Sequence, residues 1–65
     1  MKKIITLKSF IDENCLKDKD IYILTRHIVR FEKCTKGNAH AKIYFVNGGH
    51  VLVKESPAEI EKKLS

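Results

Sequence analysis

The sequence predicts a small α+β domain, mainly β, in which an antiparallel sheet of about four strands carries a short C-terminal helix. Three observations predict it. Short runs of β-branched and aromatic residues alternate with turn-forming residues, Asn47-Gly48-Gly49 is a strong hairpin signal, and Ser56-Pro57-Ala58-Glu59 opens a helix. The 65 residues make a single domain, 1–65, near the lower limit of what folds unaided. A core this small leaves self-association as the expected extra support where no disulfide or metal is present.

Lys3 to Leu7 is read as a first strand, with Ile5 and Leu7 on one side and Thr6 and Lys8 on the other. After it, Phe10 and Ile11 either extend the strand or begin a helical turn into Asp12-Glu13-Asn14. The sign-alternating run Lys17-Asp18-Lys19-Asp20 is expected to be an exposed loop. Ile21 to Leu24 and Ile28 to Phe31 are rich in strand formers. Between them Thr25-Arg26-His27 is a bend, a bulge or a tight corner. Thr35 to Asn38 breaks the pattern again, and His40 to Val46 resumes as a strand.

Side-chain alternation decides the hairpin. A three-residue loop, Asn47 to Gly49, sets Phe45 opposite Val51 and Ile43 opposite Val53, with a glycine in the left-handed region. That choice gathers Ala41, Ile43, Phe45, Val51 and Val53 inward and leaves Lys42, Tyr44, Val46, His50, Leu52 and Lys54 outward. In the helix, Ser56 caps, Pro57 takes the first turn and Glu59 completes a capping box. Ile60 and Leu64 form its inward stripe.

The net charge of +5 is unevenly placed. Between Arg26 and Lys54, six lysines and arginines face one acid, Glu32, and the rest of the chain is balanced. A localised basic region attracts polyanions. Other chemistries find no support. Cys34, His40 and His50 lack the close pairing of a zinc site, so no metal is expected. Neither Cys15 nor Cys34 sits in a nucleophile motif, Asp12, Glu13, Asp18 and Asp20 lack the calcium-loop pattern, and Gly48-Gly49 is no phosphate cradle. No cofactor or small-molecule substrate is expected. Without a leader-like or membrane-spanning stretch, the expected setting is a reducing cytoplasm with free thiols and no membrane partner.

The order Ile21-Tyr-Ile, His27-Ile-Val-Arg-Phe-Glu32, a polar loop, Lys42-Ile-Tyr-Phe-Val-Asn-Gly-Gly49, Val51-Leu-Val-Lys-Glu-Ser56 and Ala58-Glu59-Ile60 resembles the first half of a LytTR DNA-binding domain. That resemblance implies DNA contact through the polar loop holding Lys36, Asn38 and His40. The ending Asn47-Gly48 with Val53-Lys-Glu-Ser56 and a helix is also similar to the short FlbD-type bacterial proteins associated with motility.

The leading expectation is a non-enzymatic, regulatory module binding nucleic acid through Arg26, Arg30, Lys33, Lys36, Asn38, His40, Lys42, Tyr44 and Lys54. The alternative is a protein-interaction module that forms a homodimer through Tyr44, Val46 and Leu52.

Overall fold

The computed structural model describes residues 3–11 and 17–65. They form β1 (Ile4–Phe10), β2 (Asp18–Leu24), a 3₁₀ turn (Thr25–His27), β3 (Ile28–Lys33), β4 (Ala41–Phe45), β5 (His50–Val53) and α1 (Pro57–Leu64). The fold class is as expected: one antiparallel sheet and a C-terminal helix, with five strands in the order β2-β1-β5-β4-β3. The possible helical turn through Asp12-Glu13-Asn14, and Cys15, lie outside the described residues.

Two units build the sheet. β1 and β2 form a hairpin of seven paired residues, Ile4↔Leu24 through Phe10↔Asp18. β3, β4 and β5 form a meander. The units meet where β1 runs beside β5, with one ladder pair, Ser9↔Val53. Side chains and flanking backbone reinforce this thin junction. Lys54 N–H donates to the Lys8 carbonyl (2.7 Å), Ser9 Oγ donates to the Leu52 carbonyl (3.0 Å), and Lys8 N–H reaches both Glu55 carboxylate oxygens (2.9 and 3.0 Å).

The 3₁₀ turn curls the sheet. It links β2 to β3, which are opposite edges of the sheet. In a flat five-stranded sheet those edges would lie about 19 Å apart. The steps from Leu24 to Ile28 reach only about 8 Å in 3₁₀ geometry and ~14 Å fully extended. The edges must therefore approach at this end, and Val46 N–H donates to the His27 carbonyl there (2.9 Å).

One sheet face holds the core: Ile5, Leu7, Ile23, Ala41, Ile43 and Val53 are buried with Ile60 of α1. Phe31, Phe45, Val51 and Leu64 pack around them. The helix starts as its sequence requires. Ser56 Oγ accepts from Glu59 N–H (3.2 Å) and the Glu59 carboxylate accepts from Ser56 N–H (3.5 Å), with Pro57 in the first turn. Two turns of helix are too short to persist alone, so Ile60, fully buried, is what fixes α1 to the sheet.

Three expectations are corrected. Asp18 to Asp20 is strand and not loop, because β1 supplies its backbone partners and Lys8 and Lys54 balance its carboxylates. The β4–β5 loop has three residues but lies one position earlier, at Val46 to Gly48. Gly48 N–H donates to the Phe45 carbonyl and Phe45 N–H to that of Gly49, with Gly48 left-handed at φ 90°. Asn47 Oδ1 accepts from Gly49 N–H (2.9 Å), which holds asparagine in the turn's middle. Ile43 therefore pairs with Val51, and Ala41 with Val53, a shift of two residues that leaves every face unchanged. Finally, Val46 belongs to the turn and not to the outward strand face, and the strand starts at Ala41 rather than His40.

Candidate nucleic-acid interface

Among the described residues, the sheet face opposite the core carries no helix. On the meander it presents Arg30 and Glu32 from β3, Lys42 and Tyr44 from β4, and His50 and Leu52 from β5. Cross-strand pairing sets their neighbours: Arg30↔Tyr44, Glu32↔Lys42, Lys42↔Leu52 and Tyr44↔His50.

Arg30 reaches this face through a bulge. Simple alternation would send Ile28 and Arg30 to the same side. The pairing steps from Ile28↔Phe45 to Arg30↔Tyr44, so Val29 is an extra residue and the alternation resets. Ile28 then packs against the core while Arg30 turns outward. Val29 itself, an apolar residue inside a strand, is 60% exposed.

Tyr44 is the centre of the cluster. The Arg30 guanidinium carbon lies 4.3 Å from the ring centroid and Lys42 Nζ lies 5.0 Å away, both within cation–π range. The His50 ring is 6.2 Å off and tilted by 47°. The phenol donates to Glu32 Oε1 (3.0 Å), which fixes the ring. Among the described residues neither Arg30 nor Lys42 forms an ion pair, since the two salt bridges there are Lys8–Asp20 and Lys54–Asp18. No family model, curated protein or solved structure matches the chain.

The expected site residues fall into separate places. Arg30, Lys42 and Tyr44 meet. Lys54 stands on the same face but is bound to Asp18 (3.6 Å). Lys33, Lys36, Asn38 and His40 line the β3–β4 end, where Gly37 is left-handed at φ 56° and His40 Nδ1 lies 2.7 Å from the Lys54 carbonyl. Arg26 is in the 3₁₀ turn at the other end. Of the expected interface residues, Tyr44 and Leu52 are half-buried on the open face, and Val46 is 65% exposed in the turn.

His50 and Glu32 belong to the cluster although the expected binding set omits them. His50 was legible from hairpin parity. Glu32 was not, because its role depends on the bulged register of β3. Cys34 is a free, half-buried thiol, and among the described residues no three His, Cys, Asp or Glu side chains converge on a metal-sized site. No described helix is long and apolar enough to cross a membrane.

Proposed function

We propose that this domain is a non-enzymatic nucleic-acid-binding module of the cytoplasm that contacts the phosphate backbone through Arg30, Lys42 and His50. The observation that carries the reading is the pair of cations, in no ion pair with a described carboxylate, held over Tyr44 on a sheet face that no described helix covers. Cations already occupy the space over the Tyr44 ring, so the ring serves to orient them rather than to stack a base. Point and planar cations in that arrangement match phosphate oxygens and carry little base information. Lys33, Lys36, Asn38 and His40 extend the basic surface past the end of β4. The LytTR-like loop resemblance bears on the same residues.

A fluorescently labelled DNA duplex, titrated at rising salt, tests this. Log affinity is expected to fall linearly with log salt, with a slope of about −0.9 for each phosphate neutralised on duplex. Arg30→Ala should reduce both affinity and slope, and Lys36→Ala should weaken binding to a smaller degree. Absence of binding to duplex and single strand at low ionic strength, or binding indifferent to salt, removes the proposal.

A further inference from the structure

We propose that two copies of this chain exchange their β1–β2 hairpins, with the 3₁₀ turn Thr25–His27 as the hinge. The partner is a second copy, and the inference does not depend on nucleic-acid binding.

The hinge is prepared for opening. The residues flanking it are already extended, Leu24 at φ −73°, ψ 118° and Ile28 at φ −82°, ψ 122°. Only Thr25, Arg26 and His27 need change for β2 and β3 to become one strand running from Asp18 to Lys33. Opening the turn breaks the bond from Val46 N–H to the His27 carbonyl, which ties it to the meander, and the turn's own bond from Ile28 N–H to the Thr25 carbonyl. The hairpin otherwise meets the meander backbone at the thin β1–β5 junction, with its single ladder pair.

The hairpin nevertheless cannot remain detached. Ile5, Leu7 and Ile23 are buried against Ile43, Val53 and Ile60, so a released hairpin needs an acceptor of the same shape. A second open copy is such an acceptor and restores every one of these contacts in trans. Closure within one chain competes at an effective concentration on the order of mM for so short a connection. The exchanged form therefore needs some additional contact, and the surface supplies one. Of the six large hydrophobic residues exposed among the described ones, Ile4, Tyr22, Leu24, Val29 and Val46 surround the hinge; Ile11 is the exception. Two straightened β2–β3 strands running antiparallel cover this region and pair the outer edges of β2 and β3, which have no neighbouring described strand in the single chain. The same segments bring Arg26 and His27 of both copies together, so added salt should favour the dimer, the opposite of its effect on nucleic-acid binding.

The test uses the full chain carrying Cys15→Ser and Cys34→Ser, with Lys8→Cys and Lys54→Cys added. Both lysines are exposed and flank the β1–β5 junction. The chain is concentrated to about 1 mM, near the effective concentration of closure, and oxidised. The dimer fraction from gel filtration is then analysed on a non-reducing gel. Exchange predicts that the disulfide links two chains and that the isolated dimer persists on dilution. A chain that stays monomeric by light scattering, or a dimer whose disulfides close within each chain, overturns the proposal. Hinge variants give an independent reading should the cysteine variant misfold. Deleting Arg26 and His27 should raise dimer association at least about tenfold by preventing closure, and inserting Gly-Ser-Gly after Arg26 should lower it comparably. No change in either variant also overturns it.

Discussion

The open face of the sheet has two halves of opposite electrostatic design. Beside β2 the two lysines of this face are matched: Lys8 lies 2.7 Å from Asp20 and Lys54 lies 3.6 Å from Asp18. On the meander side Arg30 and Lys42 lean over Tyr44, and the one acid among them, Glu32, accepts from the tyrosine hydroxyl. Both halves are exposed β-sheet with alternating polar side chains. They differ in what the neighbouring strand offers, carboxylates in β2 and an aromatic ring in β4. A cation count along the chain would rank Lys54 with Lys42, yet Lys54 has an aspartate within 3.6 Å while Lys42 forms no ion pair among the described residues.

The largest way to break this contrast is to exchange two neighbours, Arg30→Phe with Phe31→Arg, which puts a guanidinium where Phe31 packs against the core. Burying an unpaired guanidinium costs about 3–5 kcal/mol, enough to threaten a domain of this size. Urea unfolding monitored by circular dichroism should show a collapse in midpoint. Deleting Val29 should do far less, because Ile28 and Arg30 then become neighbours and plain alternation keeps one inward and the other outward in a regular ladder. An exchanged chain as stable as the parent would show that the side of β3 on which Arg30 stands is not fixed by the core.

Next in size is the direct comparison of the halves. Arg30→Ala with Lys42→Ala should weaken duplex binding about 10- to 100-fold at low salt and flatten the salt slope by roughly 2. Lys8→Ala with Lys54→Ala removes the same formal charge and should change affinity less than about threefold, because those cations are already screened by their carboxylates. Asp18→Asn with Asp20→Asn sharpens the contrast from the other side, since it frees Lys8 and Lys54 and should tighten binding. Equal losses in the two lysine and arginine pairs would mean that net charge alone, and not the Tyr44 cluster, governs affinity.

How much of this was legible in the sequence depends on the range of the interaction. The capped helix and the left-handed glycine hairpin are local, and Ser56, Glu59, Asn47 and Gly48 declare them within a few residues. Face assignment also survives, since alternation is insensitive to a shift of two. The register error at Ile43 came from choosing between two glycines, and the contact that separates them, Asn47 Oδ1 with Gly49 N–H, is a matter of geometry. The strand identity of Asp18 and Asp20 was hidden because acids disfavour strands unless a cross-strand partner compensates them. That partner, Lys8, is known only after β1 and β2 pair. The Val29 bulge and Arg30's place over Tyr44 left no compositional trace.

The two halves are joined partly by a side chain, so the joint can be weakened selectively. Glu55 accepts from Lys8 N–H with both oxygens at the point where ladder pairing between β1 and β5 stops. Glu55→Ala should cost about 1–2 kcal/mol, the range for hydrogen bonds to a charged acceptor that water can partly replace. Hydrogen exchange should show the Lys8 amide losing protection while amides within β4 keep theirs. Uniform loss across the sheet would argue that hairpin and meander open as one unit.

The smallest effect belongs to the matched half and tests whether its pairing is felt in solution. The hydrogen bond and charge of Asp20, opposed by desolvation and helped least by Asp18 and Glu55, raise the Lys8 ammonium above its ordinary lysine value. A group whose value is raised on folding binds its proton more tightly in the native state, so its contribution is fully present below the unfolded value, about 10.4. It declines as pH rises through the higher folded value. Comparing thermal midpoints of the parent chain and Asp20→Asn between neutral pH and strongly alkaline pH cancels the titration of the other lysines and tyrosines. The parent's small advantage should be flat below about pH 10 and shrink above it. An advantage that persists unchanged into strong alkali would show that Asp20 acts through strand packing rather than through the charge of Lys8. The matched half would then be neutral only in formal count.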